Sequence, residues 1–183
     1  WWDYDTLPKL NYEGSKELYD YILDIAAKWV SEPYHVDGWR LDVAADLGHS
    51  PEMNHRFWKD FRKAVKTANP DAIILAEHYG DPKDWLVRGD QWDTVMNYPF
   101  YLNLIDLLAD EKINVSQFIQ NLGYLKGRLN KKCYPLMWNL IDSHDTARFL
   151  HLCNDNKKKQ HLAAAFQLLL PGMPMIYYGD EFA

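Results

Sequence analysis

Val36-Asp37-Gly38-Trp39-Arg40-Leu41-Asp42-Val43 has the alternating pattern of a β-strand and points to the architecture of the chain. Side chains alternate along a strand, so Gly38, Arg40 and Asp42 share one face and Trp39, Leu41 and Val43 the other. The second face is apolar and suits packing against helices. The first carries a cation and an anion two residues apart, with the acid at the strand's C-terminal end. Burying such a pair is costly and adds little stability. Parallel α/β barrels gather their reactive groups at the C-terminal ends of their strands. The charged face is therefore expected to line a barrel interior and to carry chemistry, beyond fixing the strand's geometry.

Helix and strand patterns alternate on both sides of this stretch. Ser15 to Val30 predicts a helix with Leu18, Ile22, Ile25 and Trp29 on one stripe, ended by Pro33. Met53 to Thr67 predicts a second helix, stopped before Asn69-Pro70. Ile73-Ile74-Leu75-Ala76 is a short apolar run of the kind buried in parallel sheets. Thr94 to Met96, Leu136 to Ile141 and Pro174 to Tyr178 read as further strands. Leu102 to Asp110, Ser116 to Leu129 and Lys157 to Leu170 read as helices. This order predicts an α/β fold with a parallel sheet. The glycine fingerprint of dinucleotide-binding open sheets is absent, which favours a barrel.

Composition narrows the function. The 183 residues suffice for one domain with a core, and 48% hydrophobic residues argue for a globular chain. A net charge of -6 argues against nucleic acid as a partner, and no apolar run is long enough to span a membrane. The opening Trp1-Trp2-Asp3-Tyr4-Asp5 has no signal-peptide character, and no Met starts the chain. The chain therefore reads as a cut-out of something longer. Its location is left open, a cytoplasmic one being favoured over secretion. Cys133 and Cys153 lack zinc-site spacing and read as two thiols at least half-buried. Eight Trp and twelve Tyr are mostly core, with a surplus that suits stacking on sugar rings. Trp85, Trp92 and Trp138 are expected mainly in the core. His49 and His55 are too far apart for a metal pair on one helix face and are expected at the surface.

Two more acids follow strand patterns. Glu77 comes directly after Ile73 to Ala76, and Asp145, in Ser143-His144-Asp145, comes just after Leu136 to Ile141. Any one of the three acids alone reads as a helix cap or a solvated loop charge. Three acids at three strand ends suggest a site. Two facing carboxyl groups can cleave an acetal if one is ionised and the other is protonated. Arg40 beside Asp42 favours an ionised Asp42, and the apolar run before Glu77 suits a carboxyl that keeps its proton. Asp42 is thus the expected nucleophile and Glu77 the expected acid/base. A retaining reaction requires a carboxyl separation of about 5–5.5 Å.

These residues resemble the motifs of a known family. Asp37-Gly38-Trp39-Arg40-Leu41-Asp42 looks like the strand-four motif of the α-amylase family, glycoside hydrolase family thirteen. Ile74-Leu75-Ala76-Glu77 resembles its strand-five motif, and Asp142-Ser143-His144-Asp145-Thr146 its strand-seven motif. Pro171 to Glu181 resembles its strand-eight segment, and Leu7-Pro8-Lys9-Leu10-Asn11 the lead into the helix before strand four. The likeness covers essentially the whole chain and is nearest the neopullulanase, cyclomaltodextrinase and maltogenic amylase group. It implies one partial domain over residues 1–183: strands four to eight of a (β/α)8 TIM-type barrel, with strands one to three absent. It implies a retaining hydrolase of α-1,4-glucosidic bonds in maltooligosaccharides, starch, pullulan or cyclodextrins. Asp42 would form the glycosyl-enzyme, Glu77 would be the acid/base, and Asp145 would support the transition state. Arg40 would orient Asp42, and His144 would bind sugar hydroxyls. No cofactor and no metal are expected, because the family's calcium is mostly held by segments this chain lacks. Asp180-Glu181 then reads as a structural turn.

Three departures from the pattern bear on function. The strand-three motif has no counterpart, so the incomplete barrel leaves edges that favour self-association. Asp46 stands where the group usually has Glu, keeping the charge on a shorter arm in the leaving-group subsites. Tyr79 stands where Trp is commoner and could stack on sugar as well as pack in the loop. Two other readings remain: an α-glucan transferase of the same family, or a fragment that binds glucan without turnover.

Overall fold

The computed structural model describes residue 1 and residues 4–182; Trp2 and Asp3, from the opening stretch read above, and Ala183 lie outside the described residues. The chain divides into two compact units, Trp1–Glu77 with Arg88–Asp93, and His78–Val87 with Thr94–Ala183. Parallel strands alternate with helices in both, as the α/β reading expects.

In the first unit the order is α1 (Lys16–Val30), β1 (Gly38–Leu41), α2 (Pro51–Ala68) and β2 (Ile73–Ala76). Each helix starts where its sequence provides a cap. Ser15 Oγ accepts from the Leu18 N–H, and Ser50 Oγ accepts from the Met53 N–H with Pro51 in the first turn. Helix α2 carries Met53, Phe57, Trp58, Phe61 and Val65 on one buried stripe. Burial of each large side chain is worth about 1.5–3 kcal/mol. The Phe57 ring meets those of Tyr12, Tyr19 and Trp58 edge-on at 4.9, 5.2 and 5.0 Å. The strands pair in parallel, Gly38 opposite Ile73 and Leu41 opposite Ala76. A Cβ on Gly38 would lie 2.2 Å from the Ile73 carbonyl oxygen, so only glycine permits this approach.

Asp93 secures the start of β2. Its carboxylate accepts from the Ile74 N–H at 2.9 Å and is paired with Arg62 at 2.6 Å and Lys66 at 2.8 Å. Burial pushes the Asp93 carboxyl up, but these donors together hold it below the usual range.

In the second unit the order is α3 (Lys83–Leu86), β3 (Thr94–Val95), α4 (Tyr98–Leu104), α5 (Val115–Arg128), β4 (Trp138–Leu140), α6 (Phe149–Leu152), α7 (Lys157–Leu169) and β5 (Met173–Met175). Strands β4 and β5 pair in parallel, and Met96 bridges to Trp138. The buried amide of Asn97 donates to Asn139 Oδ1 at 2.8 Å, and Asn139 Nδ2 donates to the Pro171 carbonyl at 3.3 Å. Gln167 on α7 donates through Nε2 to the carbonyls of Asn139 and Met175, at 3.2 and 2.7 Å.

Several sequence expectations shift. The first strand is shorter than Val36 to Val43, because Val43 takes a left-handed φ of 46° that ends the extended run. The helix expected over Leu102 to Asp110 begins at Tyr98, where Asn97 caps it and Pro99 fills the first turn; it then widens to a π-turn over Ile105–Ala109. The last strand is Met173–Met175 rather than Pro174 to Tyr178, because Tyr177 already belongs to a turn closed by Asp180. His55 is half-buried against Gln91 at 2.9 Å rather than at the surface. Trp92 is core, whereas Trp85 and Trp138 are half-buried.

Candidate active site

Three of the singled-out residues meet at the C-terminal ends of β1 and β2. Arg40 is ion-paired through Nη1 with Asp42, and its Nη2 lies 3.3 Å from Glu77 Oε1. One guanidinium thus grips both carboxylates, a geometry for which its planar fork is suited. Glu77 is buried at 5% exposure, and its Oε2 accepts from the Val43 N–H at 2.8 Å. Both oxygens of this carboxyl are therefore held by donors.

The environment differs from expectation in one respect. The Arg40 and Asp42 side chains were expected to be buried in a barrel interior, yet the Asp42 side chain is 70% exposed and that of Arg40 is only half-buried. Asp42 lies one residue beyond the end of β1, in the turn that leads to the 3-10 segment Ala44–Asp46. Asp46 is exposed at the end of that segment. A cavity of about 450 Å³ beside β1 has Arg40 and Asp42 in its wall, with Trp39, Leu41, Phe57 and Trp58.

Sequence reading missed the residues that fix the segment after Asp42. Asn54 on α2 is buried and donates through Nδ2 to the carbonyls of Ala44, Ala45 and Leu47 at 3.0, 3.1 and 2.9 Å. Trp58 Nε1 donates to the Ala44 carbonyl at 2.8 Å. The available signal was an amide on an otherwise apolar helix stripe, since a buried amide needs partners.

The second unit holds the remaining candidates. His144 Nε2 lies 3.2 Å from Asp145 Oδ2, and both side chains are exposed. Their turn is fixed by Ser143, whose N–H donates to Thr146 Oγ1 at 2.9 Å and whose Oγ accepts from the Asp145 N–H at 3.2 Å. The Tyr98 hydroxyl lies 3.2 Å from Ser143 Oγ, and Tyr79 stacks on the Tyr98 ring at 3.7 Å. Tyr79 is 44% exposed, so an aromatic surface backed by a second ring is presented beside this turn.

Comparison with known proteins identifies the family. The model of the alpha amylase catalytic domain matches residues 1–183. The chain is 42% identical over 176 residues to neopullulanase 2 of Thermoactinomyces vulgaris, covering 96% of this chain and 28% of that protein. It is 41% identical over 194 residues to a cyclomaltodextrinase of Thermoanaerobacter pseudethanolicus, covering 98% of this chain and 32% of that protein. A solved cyclomaltodextrinase structure superposes with a TM-score of 0.88 at 42% identity, covering 98% of this chain and 29% of the other. The chain thus spans under a third of the length of these relatives. With the family model matched end to end and relatives above 40% identity, the chain belongs to the alpha-amylase catalytic domain family.

Proposed function

We propose that this chain carries the catalytic carboxylates of a retaining glycoside hydrolase acting on α-1,4-glucosidic bonds, and that it corresponds to strands four to eight of the family barrel. The observation that supports this best is the single guanidinium of Arg40 gripping both Asp42 and Glu77. In this reading the Asp42 carboxylate attacks the anomeric carbon while Glu77 gives its proton to the departing glycosidic oxygen. A covalent glycosyl ester on Asp42 and a free sugar hydroxyl result. Glu77, now ionised, takes a proton from water; the resulting hydroxide displaces Asp42 and restores both groups. Arg40 orients Asp42 for the attack. His144 and Asp145 bind sugar hydroxyls, Tyr79 stacks on a ring, and Asp46 shapes the leaving-group side.

The relatives' names support an α-glucan substrate: neopullulanase, cyclomaltodextrinase, and the cyclic α-maltosyl-(1→6)-maltose hydrolase of Arthrobacter globiformis, whose structure matches at 36% identity with a TM-score of 0.81 over 92% of this chain and 36% of the other. A second reading, glucan binding without turnover, draws on the exposed Tyr79 ring backed by Tyr98. Incubation with maltoheptaose, with Glu77→Gln as control and products followed by anomeric NMR, separates the two. Release of α-anomeric maltooligosaccharides by the wild type alone supports the hydrolase. New linkages without reducing ends point to a transferase. Binding without release supports the second reading.

A further inference from the structure

Beside the His144–Asp145 turn lies a polar cluster that the proposed reaction does not use. Asp142 follows β4 and is 2% exposed, and the Asp180 side chain is 5% exposed. Both carboxyl groups approach the same guanidinium nitrogen of Arg148, and burial and Asp180 hold the Asp142 carboxyl above the usual carboxylate range. Two ionised carboxylates offer only acceptors, so a hydrogen bond between such a buried pair needs a proton on one of them. Each carboxyl also holds a backbone N–H: Asp142 Oδ1 accepts from Phe149 at 2.6 Å, and Asp180 Oδ2 accepts from Tyr177 at 3.0 Å. Arg148 Nη1 lies 3.6 Å from Asp142 Oδ2 and 3.4 Å from Asp180 Oδ1. Its guanidinium lies over the Tyr177 and Tyr178 rings, at 4.6 and 4.7 Å.

The charge count points the same way. Two carboxylates, one guanidinium and one proton sum to zero. Without the proton, a net negative charge would be left where little water reaches, at a high desolvation cost. Among the described residues, Tyr101 on α4 and Tyr177 also interact with Asp142, and neither supplies a second cation.

The covalent path makes this cluster a clasp. The bond from the Phe149 N–H to Asp142 closes a loop over residues 143–148, which contains both His144 and Asp145. Arg148, at the far end of that loop, is also paired with Asp180. We propose that Asp142 and Asp180 share one proton, and that this proton keeps the 143–148 loop clasped to the Tyr177–Asp180 turn, making the two aspartates positioning residues for His144 and Asp145. The last clause rests on reading His144 and Asp145 as sugar-binding groups.

Burial and the neighbouring Asp180 push the Asp142 carboxyl up to about 7. A raised carboxyl contributes its full stabilisation below the ordinary aspartate value, and that contribution is lost as pH rises through the folded value. The loop should therefore loosen between about pH 4 and pH 7 and change little above that.

The test uses three readouts on the chain. Infrared spectra of protein labelled with carboxyl-13C aspartate should show a protonated carboxyl band at pH 6 that is absent from Asp180→Asn. Amide exchange protection of residues 143–148 should fall at least about tenfold from pH 5 to pH 8 in the wild type. It should stay flat in Asp180→Asn, whose amide donates to Asp142 at every pH. Maltoheptaose affinity should weaken over the same pH interval in the wild type more than in Asp180→Asn. If Asp180→Asn does not fold, Asp142→Asn replaces it, and the wild-type band and exchange slope still decide. Absence of the band at pH 6, or an equal exchange slope in wild type and variant, would overturn the shared proton. A wild type with band and slope that binds no maltoheptaose at any pH would refute the sugar-binding reading and the positioning role, leaving the shared proton intact.

Discussion

The N–H of Val43 donates to Oε2 of Glu77 at 2.8 Å, and Val43 adopts a φ of 46° at this point. A β-branched residue in the left-handed region is strained by roughly 1–3 kcal/mol. The strain persists where surrounding bonds over-determine it, here the bond to Glu77 and those that hold the following turn. Val43→Gly keeps the N–H and removes the strain, though it adds chain entropy in the unfolded state. We expect the variant to be as stable as the wild type or more stable by up to about 1 kcal/mol in urea unfolding. A loss of more than that would show that the backbone here is unstrained.

The roles of Asp42 and Glu77 separate on a substrate whose leaving group needs no proton. Glu77→Gln should lower maltoheptaose hydrolysis by about 10²–10⁴-fold, the usual size of general-acid assistance. It should largely spare glycosyl transfer from α-maltosyl fluoride. Asp42→Asn should lose both activities. Equal loss on both substrates in Glu77→Gln would exchange or dissolve these roles.

Asp93 predicts an acid-sensitive first unit. Its carboxyl is held below the usual range, so its contribution is present above the ordinary aspartate value and fades as pH falls through the folded value. Asp93→Asn should cost about 1–3 kcal/mol at pH 7, since charged hydrogen bonds to Lys66, Arg62 and Ile74 are weakened. Urea unfolding of both proteins should show that gap narrowing below about pH 4. A gap independent of pH would mean that ionisation of Asp93 is not what matters.

Tyr79 provides a specificity test. Its stacking on Tyr98 gives it a fixed plane. Tyr79→Ala should weaken maltoheptaose binding by about 3–10-fold, the worth of one ring contact, whereas Tyr79→Phe should bind like the wild type. Calorimetric titration of the three proteins checks this, and an unchanged affinity in the alanine variant would confine Tyr79 to loop packing.

Helices α1, α2, α5 and α7 were legible in the sequence within a residue or two at each end, because periodicity and caps agreed there. The convergence of Arg40, Asp42 and Glu77 at neighbouring strand ends was legible for the same reason, since period-two alternation and strand order fix where such side chains emerge. Three things were hidden. Exposure of Asp42 depends on the tertiary packing around the end of β1, and no local pattern encodes that. The left-handed Val43 contradicts its own propensity and is imposed by tertiary bonds. The Asp142–Asp180 pair joins residues 38 positions apart, and nothing near either aspartate announces the other.

Gln167 has a bearing on how this chain can be re-engineered. One amide spans two parallel strands, so it acts as a ruler that fixes how far β5 has advanced relative to β4. The connecting residues Leu170 to Gly172 run against Asn139, and a Cβ on Gly172 would stand 2.4 Å from the Asn139 amide nitrogen. Surface connections ordinarily absorb insertions and deletions with little penalty. This one has no slack: a single added residue would displace β5 from the ruler and take the Met175 carbonyl away from its Gln167 donor. Length variation, tags and grafted sequences are better placed in other connections of the second unit.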